Sequence, residues 1–186
     1  MVQFFMVCGL IGGCFMQCAS AQTVEALFEF SDQREASRWQ VVNDDVMGGR
    51  STSAASLTDG GHLRFVGTLS LENNGGFASV RSPPRPLGLE NDDTFVMRIK
   101  GDGRQYTFNL YTPDRRPAFS YQQDFQTVEG EWIEVRLPVR QFVAHSFGQK
   151  LANVPLDAAQ VNSVGVLLGD KQRGGFELML DFIHVE

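Results

Sequence analysis

The chain has 186 residues with a net charge of −6 and 42% hydrophobic residues, a length that suits one domain with a full hydrophobic core. Acidic side chains outnumber basic ones by 22 to 16 and the arginines are scattered, which argues against nucleic acid and anionic membrane surfaces as partners. All three cysteines, Cys8, Cys14 and Cys18, precede residue 22, so the remainder of the chain has neither disulfide nor thiolate chemistry.

Residues 1–21 carry no charged side chain. The apolar run from Phe4 to Ile11 is too short to anchor a folded protein across a bilayer. Ala19-Ser20-Ala21 before Gln22 fits the small-x-small rule for signal cleavage, so residues 1–21 read as a signal peptide and the protein as exported, periplasmic or extracellular. A second reading makes it lipid-anchored through Cys14, because Ile11-Gly12-Gly13-Cys14 resembles a bacterial lipoprotein box. The absence of arginine argues against a mitochondrial presequence. The domain is expected over residues 24–186.

Downstream, two glycine blocks come first. Asp44-Asp45-Val46-Met47-Gly48-Gly49-Arg50-Ser51 and Asn73-Asn74-Gly75-Gly76-Phe77-Ala78-Ser79-Val80-Arg81 each set acidic or amide turn residues beside paired glycines. Strands follow. Phe95, Met97 and Ile99 alternate with Val96, Arg98 and Lys100, then Gly101-Asp102-Gly103 turns the chain into a run with Tyr106, Phe108 and Leu110 on one side. Gln105, Thr107, Asn109 and Tyr111 occupy the other side, and the pair reads as a hairpin. Trp132 to Leu137 repeats the alternation, and Pro138 stops it. Val161 to Leu168 is continuously apolar and suits a strand buried on both faces. In the closing run, Phe176, Leu178, Leu180 and Phe182 share one side. Helix signals are confined to single turns near Asp32 to Ser37 and Leu156 to Gln160. Many short strands, 19 glycines and little helix predict an all-β fold, a single β-sandwich of jelly-roll type.

Taken in order, the two glycine blocks, Gly101-Asp102-Gly103-Arg104-Gln105-Tyr106, Glu131-Trp132, Leu137-Pro138 and Leu168-Gly169-Asp170-Lys171-Gln172 resemble the complex I intermediate-associated protein 30 family. The resemblance runs from about Phe28 to Glu186, and the chain is most similar to a stand-alone bacterial-type member. It implies a galactose-binding-domain-like β-sandwich. It also implies a non-enzymatic role, since the eukaryotic members are assembly factors that bind partly assembled respiratory complex I.

No cofactor or metal is expected. His62, His145 and His184 lack metal-ligand spacing. Asp44-Asp45, Asp92-Asp93 and Asp102 supply oxygens of the kind calcium takes, but nearly all lie beside Gly or Asn, where Asp caps the backbone. No serine stands in Gly-x-Ser-x-Gly, so a hydrolase has no motif to support it. Asp45, Gly48, Gly49, Gly75, Gly76, Gly101, Asp102 and Gly103 form the structural turn motif. Candidates for contact with a ligand or partner are Asn74, Arg81, Arg98, Asn109, Tyr111 and Trp132, since a sheet face carrying Arg, Asn and Tyr offers planar donors and aromatic edges. Arg81 is expected to hold the glycine loop by donating to its carbonyls. Asp170-Lys171 reads as an ion pair in a turn.

These readings support a protein-binding, assembly-factor or chaperone-like module whose partner is a protein, such as a membrane complex or its assembly intermediate. The alternative is a carbohydrate-binding module of an exported protein, with a glycan as ligand. The signal-peptide reading predicts a mature N-terminus at Gln22. Mass spectrometry of the protein made in its own cell checks this, and a lipidated N-terminal Cys14 is the outcome that replaces it.

Overall fold

Alternating apolar side chains need a second apolar surface to cover them, and here two antiparallel sheets cover one another. The computed structural model describes residues 24–31, 33–114 and 116–186; residues 1–21, which read as a signal peptide in the sequence, lie outside them. In chain order the strands are β1 (Glu25–Glu29), β2 (Gln40–Asn43), β3 (Thr52–Leu57), β4 (Leu63–Leu69), β5 (Ala78–Arg81) and β6 (Thr94–Lys100). They continue with β7 (Gln105–Tyr111), β8 (Phe119–Gln126), β9 (Trp132–Pro138), β10 (Val143–Ser146), β11 (Gln149–Lys150), β12 (Ser163–Leu168) and β13 (Gly174–Val185). One four-residue helix, α1 (Gln33–Ala36), and short 3-10 turns complete the described elements.

The six-stranded sheet runs β3-β4-β13-β6-β9, with β1 paired to the end of β13. The seven-stranded sheet runs β11-β10-β8-β7-β12-β5-β2. This is a β-sandwich of jelly-roll type, as the sequence predicts. The core lies between the sheets, with Phe65, Phe95, Met97, Ile99, Leu178 and Leu180 from one facing Val80, Tyr106, Phe108, Leu110, Val164 and Val166 from the other. β12 is buried along nearly all its length, in keeping with its continuous apolar run.

Two local expectations are corrected. β6 and β7 do not form a hairpin: Gly101-Asp102-Gly103 carries the chain from one sheet to the other. Their apolar sides consequently face each other across the core, and Phe95 meets Phe108 edge-on at 5.2 Å. Phe182 is not a core residue. The register of β13 against β6 shifts between Leu180 and Phe182, so Asp181 is an extra residue that reverses the alternation. Beyond it, Ile183 and Val185 are buried while Phe182 stacks on His184 at the outer surface.

The β6–β7 crossing is tied to the β12–β13 crossing. Arg104 donates through Nε and Nη2 to the Asp170 carboxylate at 2.9 and 2.6 Å, and through Nη1 to the Gly175 carbonyl at 3.2 Å. Asp170 thus pairs with Arg104 rather than with Lys171. Burial pushes the Asp170 carboxyl up, but the Arg104 guanidinium and the Gln172 N–H outweigh it and hold the group below the usual carboxylate range. Asp102 accepts from the Tyr106 hydroxyl at 3.1 Å and from the Glu177 N–H at 3.0 Å. Only 11% of the Arg104 side chain and 6% of the Asp170 side chain is exposed, so removing one partner strands a buried charge. Arg104→Ala is therefore expected to cost about 3–5 kcal/mol in urea unfolding. Arg104→Lys should recover only part of it, because an ammonium cannot make the two parallel bonds.

Candidate functional site

The two glycine blocks meet around one side chain. β2 ends at Asn43 and passes into a 3-10 turn, Asp44–Met47, closed by Gly48 at φ 85°. Asp44 is 1% exposed. Its carboxylate accepts from the Ser51 N–H at 2.8 Å, the Ser51 hydroxyl at 2.6 Å, the Gly76 N–H at 2.6 Å and the Phe77 N–H at 3.3 Å. Asn73 adds a bond from Nδ2 to the Gly48 carbonyl at 3.0 Å. The glycines are required by closeness: a Cβ on Gly49 would stand 2.3 Å from Asp44 Cγ, and one on Gly75 would stand 2.5 Å from Asp44 Oδ2.

Burial pushes the Asp44 carboxyl up, but the bonds from Gly76, Ser51 and Phe77 outweigh it, and the group lies below its ordinary value. Sequence reasoning placed Asp45 in the turn motif, yet Asp45 is exposed and it is the Asp44 carboxylate that joins the blocks. The signal that could have found it is Ser51, a hydroxyl placed seven residues downstream and just past the paired glycines.

This lock displays apolar side chains. Val46 and Met47, on the Asp44–Met47 turn, are 69% and 61% exposed, and Leu71 at the neighbouring turn is exposed too. Asn74 is exposed beside them at φ 58°. Lys171 reaches the Gly75 carbonyl at 3.4 Å.

The other candidate residues divide between the two outer faces. Arg81, Asn109 and Tyr111 share the outer face of the seven-stranded sheet, where pairing aligns Gln40, Arg81, Gly165, Asn109, Gln122 and Val143 in one row across six strands. The Arg81 guanidinium lies 4.6 Å above the Tyr111 ring. Among the described residues the expected bonds from Arg81 to the turn carbonyls are not made, and its buried Nε has no hydrogen-bond partner. Asn109 is buried and fixed, accepting from the Ser120 hydroxyl at 2.9 Å and donating to the Thr107 carbonyl at 3.2 Å. Burial pushes the Tyr111 hydroxyl up, and the nearby Arg81 charge opposes it.

Arg98 and Trp132 are on the opposite side of the molecule, outside the six-stranded sheet. There Arg98 lies 4.8 Å from the Trp132 ring and pairs with Asp181, and His62 packs edge-on against Trp132 at 4.7 Å while meeting Asp181 at 3.2 Å. Among the described residues no group of three or more His, Cys, Asp or Glu side chains is arranged to hold a metal ion.

Fold and turn architecture define a β-sandwich of the jelly-roll, galactose-binding-like type with hydrogen-bonded loops at its crossings. The chain belongs to the complex I intermediate-associated protein 30 family, whose model matches residues 28–180. It is 27% identical to complex I intermediate-associated protein 30, mitochondrial, of Mus musculus, over 88% of this chain and 56% of that one. The Drosophila melanogaster protein of the same name is 24% identical over 87% of this chain and 62% of its own length. The chain thus spans a little over half the length of the curated relatives it matches. In fold it is similar to a family 11 carbohydrate-binding module from Clostridium thermocellum in complex with a β-1,3-1,4-mixed-linked tetrasaccharide, with a TM-score of 0.63, 12% identity and coverage of 89% of this chain and 96% of that one.

Replacing Asp44 by Asn removes the charge and sets an NH2 among N–H donors, so the variant is expected to lose about 3 kcal/mol or more of stability at neutral pH. Because the folded-state pKa is depressed, this stabilisation is fully present above the unfolded carboxylate value and is lost as pH falls through the folded one. Urea midpoints followed into acid should accordingly drop more steeply for the native protein than for Asp44→Asn below about pH 4.

Proposed function

We propose that this chain is a non-enzymatic, protein-binding module of the assembly-factor or chaperone-like kind, acting on a membrane complex or its assembly intermediate from the exported side of the membrane. The observation that carries the reading is the Val46–Met47 pair: large apolar side chains held in water by a loop that the Asp44 carboxylate prevents from collapsing. An exposed apolar group on a preorganised loop gives up little conformational freedom when a partner covers it. Met is suited to such a surface because its flexible thioether adapts to the partner's shape. The names of the relatives, given for complex I intermediates, support a protein complex as the class of partner. Arg50, Glu72 and Lys171 supply a polar rim near the loop.

A second reading, glycan binding, is supported by the Arg81–Tyr111 stack and the amide of Gln122 on the outer face of the seven-stranded sheet. One experiment separates the two. The double variant Val46→Ser, Met47→Ser should melt within a few degrees of the native protein, since exposed substitutions shift stability by about half a kcal/mol or less. It should lose the proteins that the native form captures after mild cross-linking. Undiminished capture rejects the loop as the binding surface. Saturable binding of a mixed-linked β-glucan oligosaccharide, abolished by Arg81→Ala, would favour the second reading instead.

A further inference from the structure

Sheet edges expose unpaired N–H and C=O groups, and most edges of this sandwich are short or covered. β11 has two residues and β2 four. β3, six residues long, pairs with β4 alone, and it meets β2 through side chains, the Ser53 hydroxyl donating to Asn43 Oδ1 at 2.5 Å. β1 has the Arg85 guanidinium on its Leu27 carbonyl. β9 differs. It is seven residues long, pairs with β6 alone, and none of its backbone groups bonds to any other described residue.

Its sequence is self-complementary. Trp132, Glu134 and Arg136 point outward, while Ile133, Val135 and Leu137 point toward the core side, where Ile133 and Val135 pack against the core but are only partly buried. Glu134 is exposed and has no ion-pair or hydrogen-bond partner among the described residues. Arg136 pairs with Glu186 yet keeps 54% of its side chain exposed.

We propose that β9 is a self-association edge, where a second copy of this chain adds its own β9 antiparallel across a two-fold axis at Val135. The pleat decides the register. Residues opposite one another must point to the same side of the sheet, so a two-fold axis normal to the sheet passes beside a residue and not between two. An axis at Glu134 or Arg136 sets like charges opposite each other, and an axis at Ile133 or Leu137 leaves much of each strand unpaired. With Val135 on the axis, Glu134 faces Arg136 of the second copy twice over, Ile133 faces its Leu137 twice, and Trp132 faces its Pro138. The apolar pairs join the two cores, and the open backbone groups of both edges are satisfied. β9 and β3 are at opposite edges of the same sheet, so this pairing leaves the Val46–Met47 loop free and stands independently of the protein-binding reading.

Sedimentation equilibrium over a range of concentrations tests it, with a thermal melt on each variant. The native protein is expected to dimerise reversibly, and β9 amides should gain protection from hydrogen exchange as concentration rises. Glu134→Arg and Arg136→Glu alone each set like charges opposite one another at two places, and each should weaken the dimer about tenfold or more. The double variant Glu134→Arg, Arg136→Glu restores opposite charges in the same register and should recover it. A native protein that is monomeric at every concentration overturns the proposal, including one whose β9 is protected only by a strand from another protein. So does a dimer indifferent to both reversals, or a double variant no tighter than the single ones.

Discussion

A carboxylate removed from water needs donors in place of its hydration shell, and Asp44 obtains them from two segments far apart in the chain. Ser51 and the Gly76–Phe77 amides converge on its oxygens. The geometry of this part of the molecule follows. β2 lies in the seven-stranded sheet and β3 in the six-stranded one, while β4 and β5 are divided the other way. Asp44 therefore joins two places where the chain crosses between sheets. Cα–H groups stand where Gly49 and Gly75 approach it, because any larger residue would drive the acid out of its cage. Since the donors are mostly backbone N–H groups, the cage fixes main chain, not merely side chains.

The same device recurs at the other pair of crossings. Arg104 and Asp170 tie the β6–β7 connection to the β12–β13 connection, and Lys171 reaches across to the Gly75 carbonyl of the first cage. Hydrophobic burial holds the two sheets together but has no direction. The charged crossings supply direction, since a guanidinium–carboxylate pair or a caged acid is satisfied in one arrangement only. A loop held this way can keep Val46 and Met47 in solvent, where a looser loop would fold them back onto the sandwich. Stability of the crossing and exposure of the Val46–Met47 pair thus rest on one interaction.

The two outer faces differ in character. Outside the seven-stranded sheet, long residues such as Arg81, Tyr111 and Gln122 lie over short or buried ones, Ser79, Gly165 and Asn109. Outside the six-stranded sheet, Arg98, Trp132, His62 and Asp181 satisfy one another in a compact cluster placed by the β13 bulge. In each case cations and rings are already paired within the chain, so a ligand at either face must compete with those contacts. The Val46–Met47 loop carries no such competition.

Much of the architecture is legible in the residues themselves. Alternation at Phe95, Met97 and Ile99 and at Tyr106, Phe108 and Leu110 identifies the buried side of each strand, because side-chain direction in a strand is a local property of the pleat. The paired glycines mark the crossings, and their order along the chain carries the family resemblance. Only the tertiary structure decided which sheet each strand joins, since β6 and β7 have the sequence of a hairpin and form none. It also decided that Arg98 and Trp132 stand across the molecule from Arg81, Asn109 and Tyr111. One inserted residue, Asp181, reverses the sides of Phe182 and Ile183, and no count of alternating residues reveals where a ladder slips. Asp44 looks like its neighbour Asp45 in the sequence. Its donors at Gly76 and Phe77 are more than thirty residues away, and only chain closure shows which of the two acids receives them.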